Sequence, residues 1–232
     1  MSESQSISLA TNRFRAAVVS FACVLGSLAI WILGAEAVRP SNIELAQKNP
    51  SDASRRDAAL TAARMGLVRG DLWSEAASAY ADMSWAQNKS APETDVTPFK
   101  QINAITEQAI ARAPHNSRLW LLLAANYFHF DRLNQRVMAA LKMSYYTGSN
   151  SIEVLPQRLL LAIQSEALSD DEFRDLVRHD IRIAVVRRSE LMPALIAAYS
   201  KAPPSGKQFI EKALAEFDPS ALASVRSEAE RR

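Results

Sequence analysis

Residues 16–35, AAVVSFACVLGSLAIWILGA, run for twenty positions without a charge. A helix rises about 1.5 Å per residue, so this segment extends ~30 Å, the thickness of a bilayer's hydrocarbon core. A helix buried in a soluble core keeps a polar stripe for water, and this segment has none. The chain is therefore expected to meet a lipid bilayer through residues 16–35.

Two membrane readings follow. As an uncleaved anchor over 16–37, the length is right and Trp31 falls near the outer interface, where amphipathic rings are favoured. As a signal peptide, Ala35-Glu36-Ala37 supplies a small-x-small cleavage pattern, but the apolar run exceeds the roughly 7–15 residues of a cleaved segment. The anchor stands first and the cleaved signal second. Cys23, the single cysteine, reads as a small apolar filler within the membrane. The residues before it, Ser20-Phe21-Ala22, do not match a lipoprotein signal, which carries a leucine-like residue first. Arg13 and Arg15 precede the span, and a short leader with two arginines is usually retained on the cytoplasmic side. Residues 1–15 are then expected to be a cytoplasmic leader, with the C-terminal part across the inner, cytoplasmic membrane, which is the periplasm if the cell is Gram-negative.

The remainder reads as globular and all-α. The composition is 48% hydrophobic and 22% charged with six glycines, apolar residues recur at helical spacing, and strand-like alternation is nearly absent. A net charge of +2 gives no footprint for a nucleic-acid partner. Residues 38–56 form a polar spacer, although Asn49-Pro50 or Ser51 could already start a helix. Residues 57–87 carry two helical patterns broken near Gly70-Asp71, with Leu60, Ala63, Met65 and Leu67 in the first and Trp73, Ala77 and Tyr80 in the second. Residues 88–98 are loop by composition. From Thr97-Pro98 a helix runs to Pro114. Further helices end at Gly148-Ser149, start at a capping box of Ser169 and Glu172, start again at Ser189, break at Pro203-Pro204 and begin anew at Asp218-Pro219. Roughly ten short helices joined by tight loops are the pattern of a helical-hairpin stack, or α-solenoid.

One joint in that stack carries a resemblance. Ala109-Ile110, then Pro114, then Trp120, Leu123, Ala124 and Tyr127 resemble the tetratricopeptide repeat (TPR). That family ends a second helix with a small residue and a proline, and opens the next hairpin with a Trp-x-x-Leu-small-x-x-Tyr pattern. The resemblance covers one unit near residues 99–150. It departs from the family at Arg136, where a small residue belongs, and at Ala140, where an aromatic belongs. It implies that residues 57–232 form a TPR-like helical domain. In that domain Ala109, Pro114, Trp120, Leu123, Ala124 and Tyr127 pack the repeat, while Arg118, Leu121, Ala125 and Phe128 face a partner groove.

Signatures of catalysis are missing from the sequence. The histidines His115, His129 and His179 lack the i,i+4 pairing of a zinc hydrolase, and there is no nucleophile elbow, phosphate loop or dinucleotide fingerprint. No enzyme activity, metal or other cofactor is expected. Arg174, Arg178 and Arg182 lie one turn apart, readable as a stripe for an anionic polymer or as a solvated face neutralised by Asp170, Asp171 and Asp175. The function expected is a membrane-anchored scaffold for other envelope proteins or peptides, with an envelope or polysaccharide-export assembly as its setting. Its alternatives are an accessory or enzymatic domain that binds an acidic glycan and a binding protein secreted after signal cleavage.

Overall fold

Helix accounts for the whole regular structure of the described residues, with no strand among them. The structure is a computed structural model and describes residues 3–39, 52–87, 97–130 and 135–231. Two compact units divide the chain, Met1–Ala79 and Tyr80–Arg232.

The first unit holds α1 (Glu3–Ala37), α2 (Asp52–Gly66) and most of α3 (Gly70–Gln87). Within α1, Arg13–Ala37 is long and apolar enough to cross a membrane, with a mean hydropathy of 2.4. Every residue from Arg13 to Leu33 is exposed. The hydroxyl of Ser27 donates to the Cys23 carbonyl at 2.8 Å, a bond that satisfies a polar side chain without water. The end of α1 then packs on α2: Ala35 is buried, and a methyl added at Gly34 would lie 3.2 Å from the Met65 Cε. Ala58, Ala59, Ala62 and Ala63 are buried on α2, and Ala76 and Ala77 on α3.

The break between α2 and α3 falls three residues before the expected Gly70-Asp71. Leu67 has a φ of 39°, in the left-handed region that ends a helix. It is therefore exposed instead of joining the apolar face of α2. Gly70 is the first residue of α3. The Trp73 indole donates to the Leu67 carbonyl at 3.3 Å, which satisfies one of the carbonyls the turn frees. Helix α2 begins at Asp52, next to Ser51, one of the starts expected for it.

The second unit continues with α4 (Thr97–Arg112), α5 (Ser117–Phe130), α6 (Gln135–Thr147) and α7 (Leu155–Gln164). A 3-10 turn (Glu166–Ser169) follows, then α8 (Asp171–Val186), α9 (Arg188–Lys201), α10 (Pro204–Phe217) and α11 (Pro219–Glu230). Helix α4 stops at Arg112, two residues before Pro114, because a proline disfavours helical backbone at the residue before it. Asp218 accepts from the backbone N–H groups of Ser220 and Ala221, the cap expected for α11. At α8 the cap is Asp170, not Ser169: Asp170 accepts from the Phe173 N–H at 2.8 Å, while Ser169 closes the 3-10 turn by donating to the Glu166 carbonyl.

Several helices of this unit touch a next-but-one neighbour as well as a sequence neighbour. Helix α5 meets α7, α7 meets α9, and α9 meets α11. On the other side α6 meets the 3-10 turn, the turn meets α8, and α8 meets α10. Two rows of helices result, with a core of leucine, isoleucine, valine and phenylalanine that includes Leu119, Leu141, Leu159, Phe173, Ile181 and Leu195.

Candidate functional site

Two features of the second unit stand apart from ordinary packing. The first is a buried charge pair. On α7, Arg158 occupies the same face as Leu155, Leu159 and Ala162; on α8, Asp180 shares a face with Phe173, Val177 and Ile181. Both side chains are fully buried. Arg158 Nε lies 2.9 Å from Asp180 Oδ2 and its Nη2 lies 2.8 Å from Oδ1. The remaining donors reach the carbonyls of Ser144, Gly148 and Ser149, so all five guanidinium N–H groups are used. The guanidinium carbon sits 4.1 Å from the centre of the Tyr145 ring. Burial pushes the Asp180 carboxyl above the usual carboxylate range against the pull of Arg158. The pair joins the end of α6, α7 and α8 and offers no open face to a ligand. Sequence reasoning missed it. The available signal was one charged residue on the apolar face of each of two consecutive helices.

The second feature is a cleft of about 720 Å³ bounded by the end of α7, the 3-10 turn, α8 and α10. Arg174 and Arg178 line it from α8, and Lys212 and Gln208 from α10, together with the apolar Phe209 and Leu168. Glu166 is the one carboxylate in its lining. Arg178 lies 2.7 Å from Asp175 and 5.8 Å from the centre of the Phe209 ring, and Arg174 pairs with Asp171. Both carboxylates are strongly exposed, at 88% for Asp171 and 73% for Asp175. Such i,i+3 pairs contribute only about 0.2–0.5 kcal/mol. The carboxylates on the other side of this helix start are engaged elsewhere: Lys142 lies 2.9 Å from Asp170 and 2.7 Å from Glu172. That contact raises the Lys142 pKa and lowers those of Asp170 and Glu172.

Arg182 continues the stripe. It meets no carboxylate among the described residues and lies 6.0 Å from the centre of the Phe217 ring. The stripe is thus neutralised by neighbours at Arg174 and Arg178 and joined to α10 by ring contacts at Arg178 and Arg182.

The residues expected to face a partner groove lie on α5 in different environments. Arg118 is exposed, Ala125 and Phe128 are half-buried, and Leu121 is buried. Among the expected packing residues, Ala109, Leu123, Ala124 and Tyr127 are buried. Trp120 is half-buried and donates to the carbonyl of Pro114, itself exposed in the turn, at 2.8 Å. Tyr127 packs edge-on to Phe99 at 6.3 Å, and Arg136 lies over its ring at 5.8 Å. The departure at Arg136 therefore places a cation beside the repeat-like tyrosine. His115 and His129 are exposed, and exposed His179 lies 3.1 Å from the Asn150 amide oxygen. Among the described residues, no three His, Cys, Asp or Glu side chains converge as metal ligands would.

No family model, curated protein or solved structure matches the chain. The functional reading therefore stands on the geometry of these residues.

Proposed function

We propose that the chain is a membrane-anchored scaffold that mediates protein–protein interaction from a TPR-like stack of helical hairpins on the extracytoplasmic side. The observation that carries this reading is the row formed in the second unit by α5, α7, α9 and α11, next-but-one neighbours that meet in turn. Stacks of helical hairpins bury a continuous core in this way and leave long surfaces for partners. The two arginines of the leader favour an N-terminus in the cytoplasm and a C-terminal domain outside it. In an envelope assembly the domain would meet other envelope proteins or peptides.

The anchor is retained on this reading. Ala35 and Glu36, the first two residues of the candidate cleavage pattern, take part in folding. Ala35 is buried, and Glu36 pairs with Arg39 at 3.0 Å and with Arg69 at 2.9 Å. Arg39 also reaches Glu75 at 2.7 Å, and Arg69 reaches Asp71 at 2.6 Å. Peptidases act on extended backbone, whereas α1 is helical through Ala37.

Crosslinking in native membranes, followed by identification of the captured protein, tests the scaffold. A protein that emerges without a specific partner would remove the reading's support. For orientation, a reporter enzyme active only outside the cytoplasm is fused to the C-terminal end. A stable but silent fusion would reverse the topology.

A further inference from the structure

We propose that the cleft between the 3-10 turn, α8 and α10 is a docking site for an acidic peptide segment in which a carboxylate side chain stands beside an apolar one. The inference rests on the scaffold reading and specifies its partner's chemistry.

Charge complementarity carries it. Arg174, Arg178 and Lys212 converge on one cleft whose lining holds a single carboxylate, Glu166. Lys212 makes no ion pair among the described residues, so its charge is available. The carboxylates paired with the two arginines are exposed, so those pairs are weak and a ligand carboxylate can exchange for them. Guanidinium groups take carboxylates in a bidentate fork. Helix α10 begins at the cleft without a side-chain cap, so the positive end of its dipole has the same sign as the three side chains.

The apolar lining selects the rest of the ligand. Arg178 already lies against Phe209, and Phe209 with Leu168 gives the same lining an apolar part beside its charges. A segment that sets aspartate or glutamate next to a leucine- or phenylalanine-like residue matches both. A uniformly anionic sugar polymer matches only the charges. The cleft volume lies within the roughly 300–1,000 Å³ typical of ligand sites, room for a short segment and not for a folded domain.

The test uses the full-length protein in lipid nanodiscs and a fluorescein-labelled peptide that alternates glutamate with leucine and phenylalanine, read by anisotropy. Its controls are the same peptide with glutamine for glutamate and an oligoglucuronate. Saturable binding is expected that weakens about tenfold or more in the glutamine peptide, in Lys212→Glu and in Arg174→Glu, and that falls with salt. Both substituted side chains lie on the surface, and circular dichroism confirms that the variants stay folded. Equal binding of the glutamine peptide, indifference to both charge reversals, or tighter binding of oligoglucuronate than of peptide would each overturn the proposal. A photo-crosslinker at Gln208 separates it from the scaffold reading. A partner captured from α5 positions such as Arg118 but never from Gln208 leaves the scaffold standing and removes this site.

Discussion

Arg158 shows how much one side chain can hold. It donates to a carboxylate on α8 and to three carbonyls at the end of α6, and its stem belongs to α7. Removing either partner strands the other as an unpaired buried charge, which costs about 3–5 kcal/mol. Arg158→Ala and Asp180→Ala are each expected to destabilise the second unit by that amount in chemical denaturation. The double change Arg158→Met, Asp180→Leu is expected to recover most of the loss, because it removes both charges and keeps the volume. If the double variant is as unstable as the single ones, the carbonyl contacts dominate and the ion pair does not. Asn126 gives a prediction of the opposite sign. It is buried on α5, and neither amide atom meets a hydrogen-bond partner among the described residues, so Asn126→Leu is expected to stabilise by ~1 kcal/mol. These two residues also mark where the sequence is hard to read. Helical periodicity locates a core face from its apolar majority, and a polar residue on that face says nothing of whether a partner waits in another helix.

At the scale of elements, most boundaries were legible because they depend on neighbouring residues. Pro114, Gly148 and Asp218-Pro219 each stop or start a helix for reasons contained within one turn. The start of α8 was misplaced by one residue because its determinant is distant. Lys142, on α6, draws Asp170 and Glu172 together, and Asp170 rather than Ser169 then caps the helix. This cluster has a pH signature. Lys142 and the capping bond lower the Asp170 pKa, and Lys142 with Tyr146 lowers that of Glu172. Their contribution is therefore complete above the ordinary carboxylate range of about 4 and is lost as pH falls through the lower folded-state values. Thermal unfolding between pH 5 and pH 2 is expected to show a smaller decline in Lys142→Met than in the wild type. An unchanged decline would assign the acid sensitivity to other carboxylates. Helix crossing supplies a second test. A methyl at Gly206 would lie 2.7 Å from the Ile163 carbonyl oxygen, so Gly206→Ala is expected to destabilise by about 1–3 kcal/mol in chemical denaturation.

At the scale of the whole molecule, the helical class and the apolar segment were plain in the sequence, since both rest on patterns repeated over many residues. The cleft was not. Its walls come from segments up to 48 residues apart, Gln164 to Lys212, and only the arginine stripe on α8 hinted at it. Retention of the anchor belongs to this scale too. Intact-mass measurement on protein isolated from membranes is expected to find residues 16–37 still attached, and a mature N-terminus at Val38 would refute that. The junction between α1 and α2 then has a mechanical meaning. From Leu33, the last large exposed apolar residue of the span, to Glu36 is three helical steps, ~4.5 Å. The first hairpin is clamped to the membrane helix within that distance by Ala35 and by the ion pairs of Glu36. On the proposed reading, the anchor works as a post rather than a leash, and a tilt or rotation of it would be passed directly to α2.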